Sequence, residues 1–306
     1  MIRLGTRAST LALAQARSVA DTLAGVDVEI VPMRTEGDRL AEARLAVVGG
    51  KGLFVREIEE ALLRGDIDLA AHSLKDLPAE QPPGLMLAAF PRREDPRDVL
   101  AARQPVTVST LAPGARIGTS SPRRRALLLA VRPDLHVEPI RGNVDTRLRK
   151  LDAEGWDAVL LAAAGLRRLG LAPAHCEALD PDVFVPAVGQ GIIAVQARSD
   201  DATARAVLAR VDDAPTRTCA LAERAYLARL GASCNTPMAA HARLDRGAVR
   251  MTAIVASEDG RQVLRSSATA PAADAEKLGR DLADELLARG AADITALQPK
   301  SDLRSR

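Results

Sequence analysis

The chain has 306 residues, 47% of them hydrophobic and 27% charged, which is enough apolar material for a buried core and enough length for two or three domains. A net charge of +2 and an aromatic content of 2% exclude a protein built around nucleic acid, which needs a basic surface and stacking rings. Three widely spaced cysteines, Cys176, Cys219 and Cys234, exclude a disulfide framework and a paired-cysteine metal site; with no apolar leader and no run able to span a bilayer, the expectation is a cytoplasmic protein without a membrane partner.

Residues 2–6 read as a strand, and an Ala/Leu-rich helix follows over 11–23 with Ser9 or Thr10 as its N-cap. Arg7 and Ser9 therefore stand where a strand ends and a helix begins, a place that favours anions, although an ordinary cap and a solvated arginine explain them equally. A second strand covers 26–33. The polar, Gly-rich stretch 34–52, ending V-V-G-G-K-G, lacks P-loop spacing and reads as a lid carrying Lys51. An amphipathic helix over 54–64 stops at Gly65, and an apolar strand over 67–74 ends in H-S-L-K-D-L-P. Strands alternating with helices imply a mainly parallel sheet, so Lys75 and Asp76 project from the edge that also carries Arg7 and Ser9. A carboxylate there can stabilise a developing positive charge. One more strand covers 85–91, and the charged run 92–98 reads as a linker.

A second α/β unit begins near residue 99. A strand over 116–118 leads into Thr119, Ser120 and Ser121, with Pro122 opening a helix and Arg123, Arg124 and Arg125 in its first turn. Cations at a helix N-terminus oppose the helix dipole, so an incoming anion explains them better than stability does. Strand 136–140 is followed by Arg141, Gly142 and Asn143 and by a helix carrying Arg147; strand 158–163 is followed by Arg167 and Arg168. Three successive strand ends thus deliver arginine, whose planar fork suits carboxylate or phosphate. The run V-G-Q-G-I-I-A, containing Gln190, matches a dinucleotide fingerprint in letters only, because a strand and not a helix follows it.

The last part has a helix over 200–211, a longer one over 216–230, strands over 238–244, 249–256 and 263–268, and a helix over 274–289 stopped by Gly290: a small α+β domain. Cys234 lies in L-G-A-S-C-N-T-P between the long helix and the first of these strands. A lone cysteine is usually a small buried hydrophobe, but this loop is a poor place for one.

Taken together and in order, T-R-A-S, V-G-G-K-G-L-F-V, H-S-L-K-D-L-P, R-E-D-P-R-D, G-T-S-S-P-R-R-R, I-R-G-N-V-D-T-R-L, A-A-A-G-L-R-R-L-G, P-A-V-G-Q-G and A-E-R-A-Y-L closely resemble the porphobilinogen deaminase (hydroxymethylbilane synthase) family over residues 2–297. The resemblance implies two α/β lobes like those of type II periplasmic binding proteins, spanning 1–94 with 191–212 and 95–190, and a small α+β domain over 213–306. It implies a dipyrromethane cofactor joined by a thioether to Cys234, a primer to which four porphobilinogen units are added with loss of ammonia before hydrolysis releases hydroxymethylbilane, in a monomer acting on a small-molecule substrate. By the family pattern Asp76 is the catalytic aspartate. Arg7, Ser9, Lys75, Thr119, Ser120, Ser121, Arg123, Arg124, Arg141, Gly142, Asn143, Arg147, Arg168 and Gln190 bind cofactor and substrate, Lys51 and Phe54 belong to the lid, and no metal is involved.

Two positions depart from the pattern: Gly231-Ala232-Ser233 stands where the family has Gly-Gly before the cysteine, and Val47 stands where the lid commonly carries a second lysine. A non-catalytic anion-binding protein with the same two lobes is the runner-up, but it leaves Cys234 and Asp76 without a purpose.

Overall fold

The computed structural model describes residues 1–35, 55–232, 235–295 and 297. The expected two α/β lobes and small C-terminal α+β domain are the observed ones. By internal contacts the chain divides into two compact units, 1–94 with 168–170 and 191–217, and 95–167 with 171–190 and 218–306.

The first unit holds β1 (Ile2–Arg7), α1 (Thr10–Thr22), β2 (Val28–Met33), α2 (Arg56–Arg64), β3 (Leu69–Ser73), β4 (Leu85–Ala89), β10 (Ile193–Arg198) and α6 (Ala202–Leu208), and its strands form a five-stranded sheet in the order β2-β1-β3-β10-β4. Four of the five strands run in one direction, as expected of a mainly parallel sheet, and β10 alone runs against them. β1 runs parallel to β2 and β3, whereas β10 enters antiparallel between β3 and β4. The sequence conceals this because β10 is supplied from much later in the chain and is buried along nearly all its length, Gln196 included, so no alternation of polar and apolar letters marks its direction or position. Leu4, Val19, Leu69 and Val195 form the core between α1 and the sheet. Gly65 closes α2 in the left-handed conformation, as its place in the sequence implies.

The second unit holds β5 (Asp98–Ala102), β6 (Arg116–Gly118), α3 (Pro122–Val131), β7 (His136–Glu138), α4 (Val144–Ala153), β8 (Ala158–Ala162), α5 (Ala163–Arg168) up to Arg167, and β9 (His175–Ala178), with the sheet order β7-β6-β8-β5-β9. β6 is parallel to β7 and β8, while β5 is antiparallel to β8 and β9. The reading of 92–98 as linker is wrong at its end: Asp98 opens β5 and is 1% exposed, because its charge is matched inside the fold. β9 was not foreseen; it is a four-residue edge strand with two polar residues.

The same unit contains β11 (Met238–Asp245), β12 (Ala248–Ala256) and β13 (Val263–Pro271), an antiparallel meander, and α8 (Ala275–Ala288). The helix α7 (Ala214–Leu230) supplies Tyr226, fully buried, whose hydroxyl donates to the Ile254 carbonyl at 2.9 Å. α8 packs closely on α7 at Gly279, where a Cβ would stand 2.1 Å from the Ala222 carbonyl oxygen. Ala239 and Ile254 of the meander share a core with Leu100, Ile117 and Leu160, which is why this domain and the second lobe form one compact unit.

Candidate active site

In the first unit the parallel pairing of β1 with β3 brings Arg7 and Ser73 to the same sheet edge. Ser9 caps α1, its hydroxyl accepting from the Ala12 N–H. After Ser73 the chain makes one 3-10 turn over Leu74–Asp76. Buried Leu74 and Leu77 hold that turn down, and the Leu74 N–H donates to the Ile192 carbonyl at 3.0 Å; Lys75 and Asp76 between them are exposed. Arg7, Ser9, Lys75 and Asp76 therefore share one end of this sheet, as the strand order in the sequence implies.

Behind the turn lies a polar layer that the sequence did not announce. Gln15 of α1 is hydrogen-bonded to Ser73 at 2.8 Å. His72 is buried, and its Nε2 lies 3.2 Å from Gln196 Oε1; as that oxygen can only accept, Nε2 carries the proton. Gln196 Nε2 in turn donates to Glu59 at 2.9 Å and Gln81 at 2.7 Å. Burial, partly opposed by the Gln196 bond and helped by the nearby Arg7 charge, pushes the His72 imidazole down to about 4, so it is neutral at pH 7. Burial likewise raises the Glu59 carboxyl, against the Gln196 hydrogen bond.

In the second unit the parallel neighbours β7, β6 and β8 end side by side. Thr119, Ser120 and Ser121 are used to shape the loop after β6. Ser120 Oγ donates to the Ile140 carbonyl at 2.7 Å, Thr119 Oγ1 accepts from the Ser121 N–H at 3.2 Å, and Ser121 Oγ caps α3 through the Arg124 N–H. Arg123 and Arg124, read as awaiting an external anion, already share an internal one: Asp98 lies 2.6 Å from Arg123 Nη1 and 3.0 Å from Arg124 Nε. Burial alone would raise the Asp98 carboxyl, but the two guanidiniums more than reverse that and hold it far below the usual carboxylate range. Gln190 is buried too, its amide donating to Asp98 Oδ1 at 2.9 Å and to the Pro96 carbonyl at 2.7 Å.

The loop after β7 is different. Arg141, Gly142 and Asn143 are exposed, and among the described residues no carboxylate pairs with Arg141 or Arg147. Arg147 donates from Nε to the Gly142 carbonyl at 2.8 Å; burial, with the repulsion of Arg124, lowers its guanidinium to about 10. Arg168 belongs by its contacts to the first unit, where it donates to the Gly191 carbonyl at 2.8 Å; burial lowers it, against the pull of Glu94. Gly191 is needed there, with φ +86° and a Cβ position 2.4 Å from the Glu94 carbonyl oxygen. Lys51, Phe54 and Cys234 lie outside the described residues. Among those described, no helix is long and apolar enough to cross a membrane and no acidic, His or Cys cluster is gathered for a metal.

Two family models match the chain that carries the exposed Lys-Asp turn of the first unit and the strand-end arginines of the second. One, described as "Porphobilinogen deaminase, dipyromethane cofactor binding domain", covers residues 2–206, and the other, "Porphobilinogen deaminase, C-terminal domain", covers 217–288. The chain belongs to the porphobilinogen deaminase family. Relatives of that name include one from Syntrophotalea carbinolica, 49% identical over 299 residues, covering 96% of this chain and 95% of that one. Another, from Trichlorobacter lovleyi, is 50% identical over 293 residues and covers 94% of each chain. A third, from Roseiflexus sp., is 49% identical over 297 residues, covering 96% of this chain and 98% of that one. The sequence reasoning missed Asp98, a residue of the family motif R-E-D-P-R-D. The signal for it was the apolar run Val99 to Ala102 directly after, which marks a strand start rather than a linker.

Proposed function

We propose that this chain is a transferase that condenses four porphobilinogen units head to tail, losing ammonia each time, and then releases hydroxymethylbilane by hydrolysis for tetrapyrrole (haem, chlorophyll, corrin) biosynthesis. Over one turnover, four porphobilinogens and one water give one hydroxymethylbilane and four ammonia. The observation that carries the reading is the surplus of guanidinium charge after β6 and β7: Arg123 and Arg124 share one carboxylate, and Arg141 and Arg147 have none among the described residues. Each porphobilinogen brings an acetate and a propionate, and forked, charge-assisted hydrogen bonds are what such groups need.

The same donor set fits dipyrromethane, itself a polycarboxylate. When bound, that group supplies the nucleophilic pyrrole carbon to which the first unit is joined. We take its attachment to be a thioether to Cys234. Arg7, Ser9 and Lys75 of the first unit and Ser121, Arg141, Asn143 and Arg147 of the second would bind acetate and propionate side chains. Arg123 and Arg124 would do so with the donors that Asp98 leaves over. Asp76, exposed on its turn, would hold the pyrrole N–H of the substrate and stabilise the positive charge that develops as ammonia departs. Lys51 and Phe54 would close over the bound substrate and exclude water. The enzyme is taken to work as a cytoplasmic monomer.

Purified protein given porphobilinogen tests the reading: ammonia and tetrapyrrole should appear in the ratio of four to one. Substrate left unchanged by protein that carries its primer would sink it.

A further inference from the structure

Asp98 sits at the first position of β5, inside the second unit, and nothing in the reaction calls for a carboxylate there. It accepts four hydrogen bonds. Arg123 Nη1 donates to Oδ2 at 2.6 Å; Arg123 Nη2, Arg124 Nε and Gln190 Nε2 donate to Oδ1 at 3.2, 3.0 and 2.9 Å. Main-chain carbonyls fix both guanidiniums further: Arg123 Nη1, the nitrogen already on Oδ2, also donates to Val185 at 2.9 Å, and Arg124 Nη1 donates to Leu160 at 3.0 Å. All three charged side chains are at most 7% exposed.

We infer that Asp98 is the positioning residue of the arginine pair: it fixes both forks and leaves them one uncompensated positive charge with which to draw a carboxylate. The identity of that carboxylate, a porphobilinogen side chain, rests on the function proposed above. Two cations against one anion give the cluster a net charge of +1, and Arg147 adds a further cation close enough to repel Arg124. Without Asp98, two buried guanidiniums would face one another with only neutral partners, an arrangement that either opens or recruits an anion from solution. With a second internal carboxylate the cluster would be neutral and would attract nothing. One aspartate between two arginines keeps the pair assembled when no substrate is present and still cationic when it arrives. Asparagine cannot replace it, because its NH2 group would point at guanidinium donors.

The test uses the full chain and the variants Asp98→Asn and Asp98→Glu, with succinate as the carboxylate probe. Asp98→Asn should melt lower than wild type, and about 10 mM succinate should restore part of the loss while moving wild type much less. Its KM for porphobilinogen should rise about tenfold or more with a smaller change in kcat, because the interaction is made with bound substrate as well as in the transition state. Asp98→Glu, which keeps the charge but displaces it by one methylene, should lie between the two. Equal succinate shifts in wild type and Asp98→Asn, together with unchanged KM in the folded protein, would leave Asp98 a purely structural ion-pair partner and overturn the inference. If Asp98→Asn does not fold, Asp98→Glu decides: an unchanged KM overturns the inference and a raised one sustains it. Wild-type protein that never turns over porphobilinogen would defeat the proposed function instead, while the succinate comparison would still judge Asp98.

Discussion

Replacing His72 by glutamine should change how stability depends on pH, and the structure gives both the sign and the size. The imidazole is 5% exposed in β3, pairs in register with Ala194 of β10, and donates to Gln196. Burial lowers it from 6.5 to about 4. Between those values the unfolded chain takes up a proton that the folded chain refuses, so acidification destabilises the protein and stability levels off above pH 6.5. At pH 5 the loss amounts to about 2 kcal/mol relative to neutral pH, and it approaches about 3 kcal/mol near pH 4. Glu59, raised by burial, acts in the opposite direction: its contribution is present at low pH and fades as pH rises through its folded value. Because Glu59 and His72 share Gln196, repeating the comparison in a Glu59→Gln background separates the two contributions. Urea unfolding of both proteins from pH 5 to 7.5 is the assay. His72→Gln should be the less stable protein at pH 7.5, and the gap should narrow by about 2 kcal/mol at pH 5. A gap that stays constant across the range would refute the claim that His72 is held neutral inside the fold.

Three further outcomes are expected. Gly279→Ala should lower the melting temperature markedly, by overpacking of about 1–3 kcal/mol or more, because the new Cβ meets the main chain of α7 rather than a side chain that can yield. Asp76→Asn should fold normally, since Asp76 is exposed on its turn, yet lose nearly all turnover; a rate close to wild type would remove it from catalysis. Arg147→Leu should keep the fold and impair primer assembly or elongation by about tenfold or more, read as the distribution of chain lengths on the protein; normal elongation would count against the strand-end arginines as carboxylate holders.

Much of this was legible in the chain, for identifiable reasons. Ser9 and Ser121 announce their helices because capping chemistry is local, and Gly65 and Gly290 announce stops because the left-handed conformation favours glycine. The end of β3 could be placed beside Arg7 because parallel strands finish at one edge. What could not be read is what depends on distant partners. β10 fills an inner place in the first sheet although the whole second sheet precedes it in the chain, and nothing in its letters says so. Asp98 looks like one more charge in a charged run, until Arg123, Arg124 and Gln190 arrive from elsewhere. The arginines are out of place at a helix start, as their letters say, but one anion that holds them there is internal. A-E-R-A-Y-L also hides its purpose: Glu223 accepts from the Gly189 and Ala242 N–H groups at 2.6 and 2.8 Å, joining α7 to β11 and to the segment before β10.

The proposed reaction requires Cys234 to anchor a primer whose carboxylates the strand-end arginines would hold. Intact mass of the purified protein, wild type beside Cys234→Ser, measures that directly. Wild type should carry an addition equal to two linked pyrroles, either as isolated or after exposure to porphobilinogen, and Cys234→Ser should carry none. A bare polypeptide mass for folded wild-type protein even after porphobilinogen is supplied, or the same addition on Cys234→Ser, would contradict it.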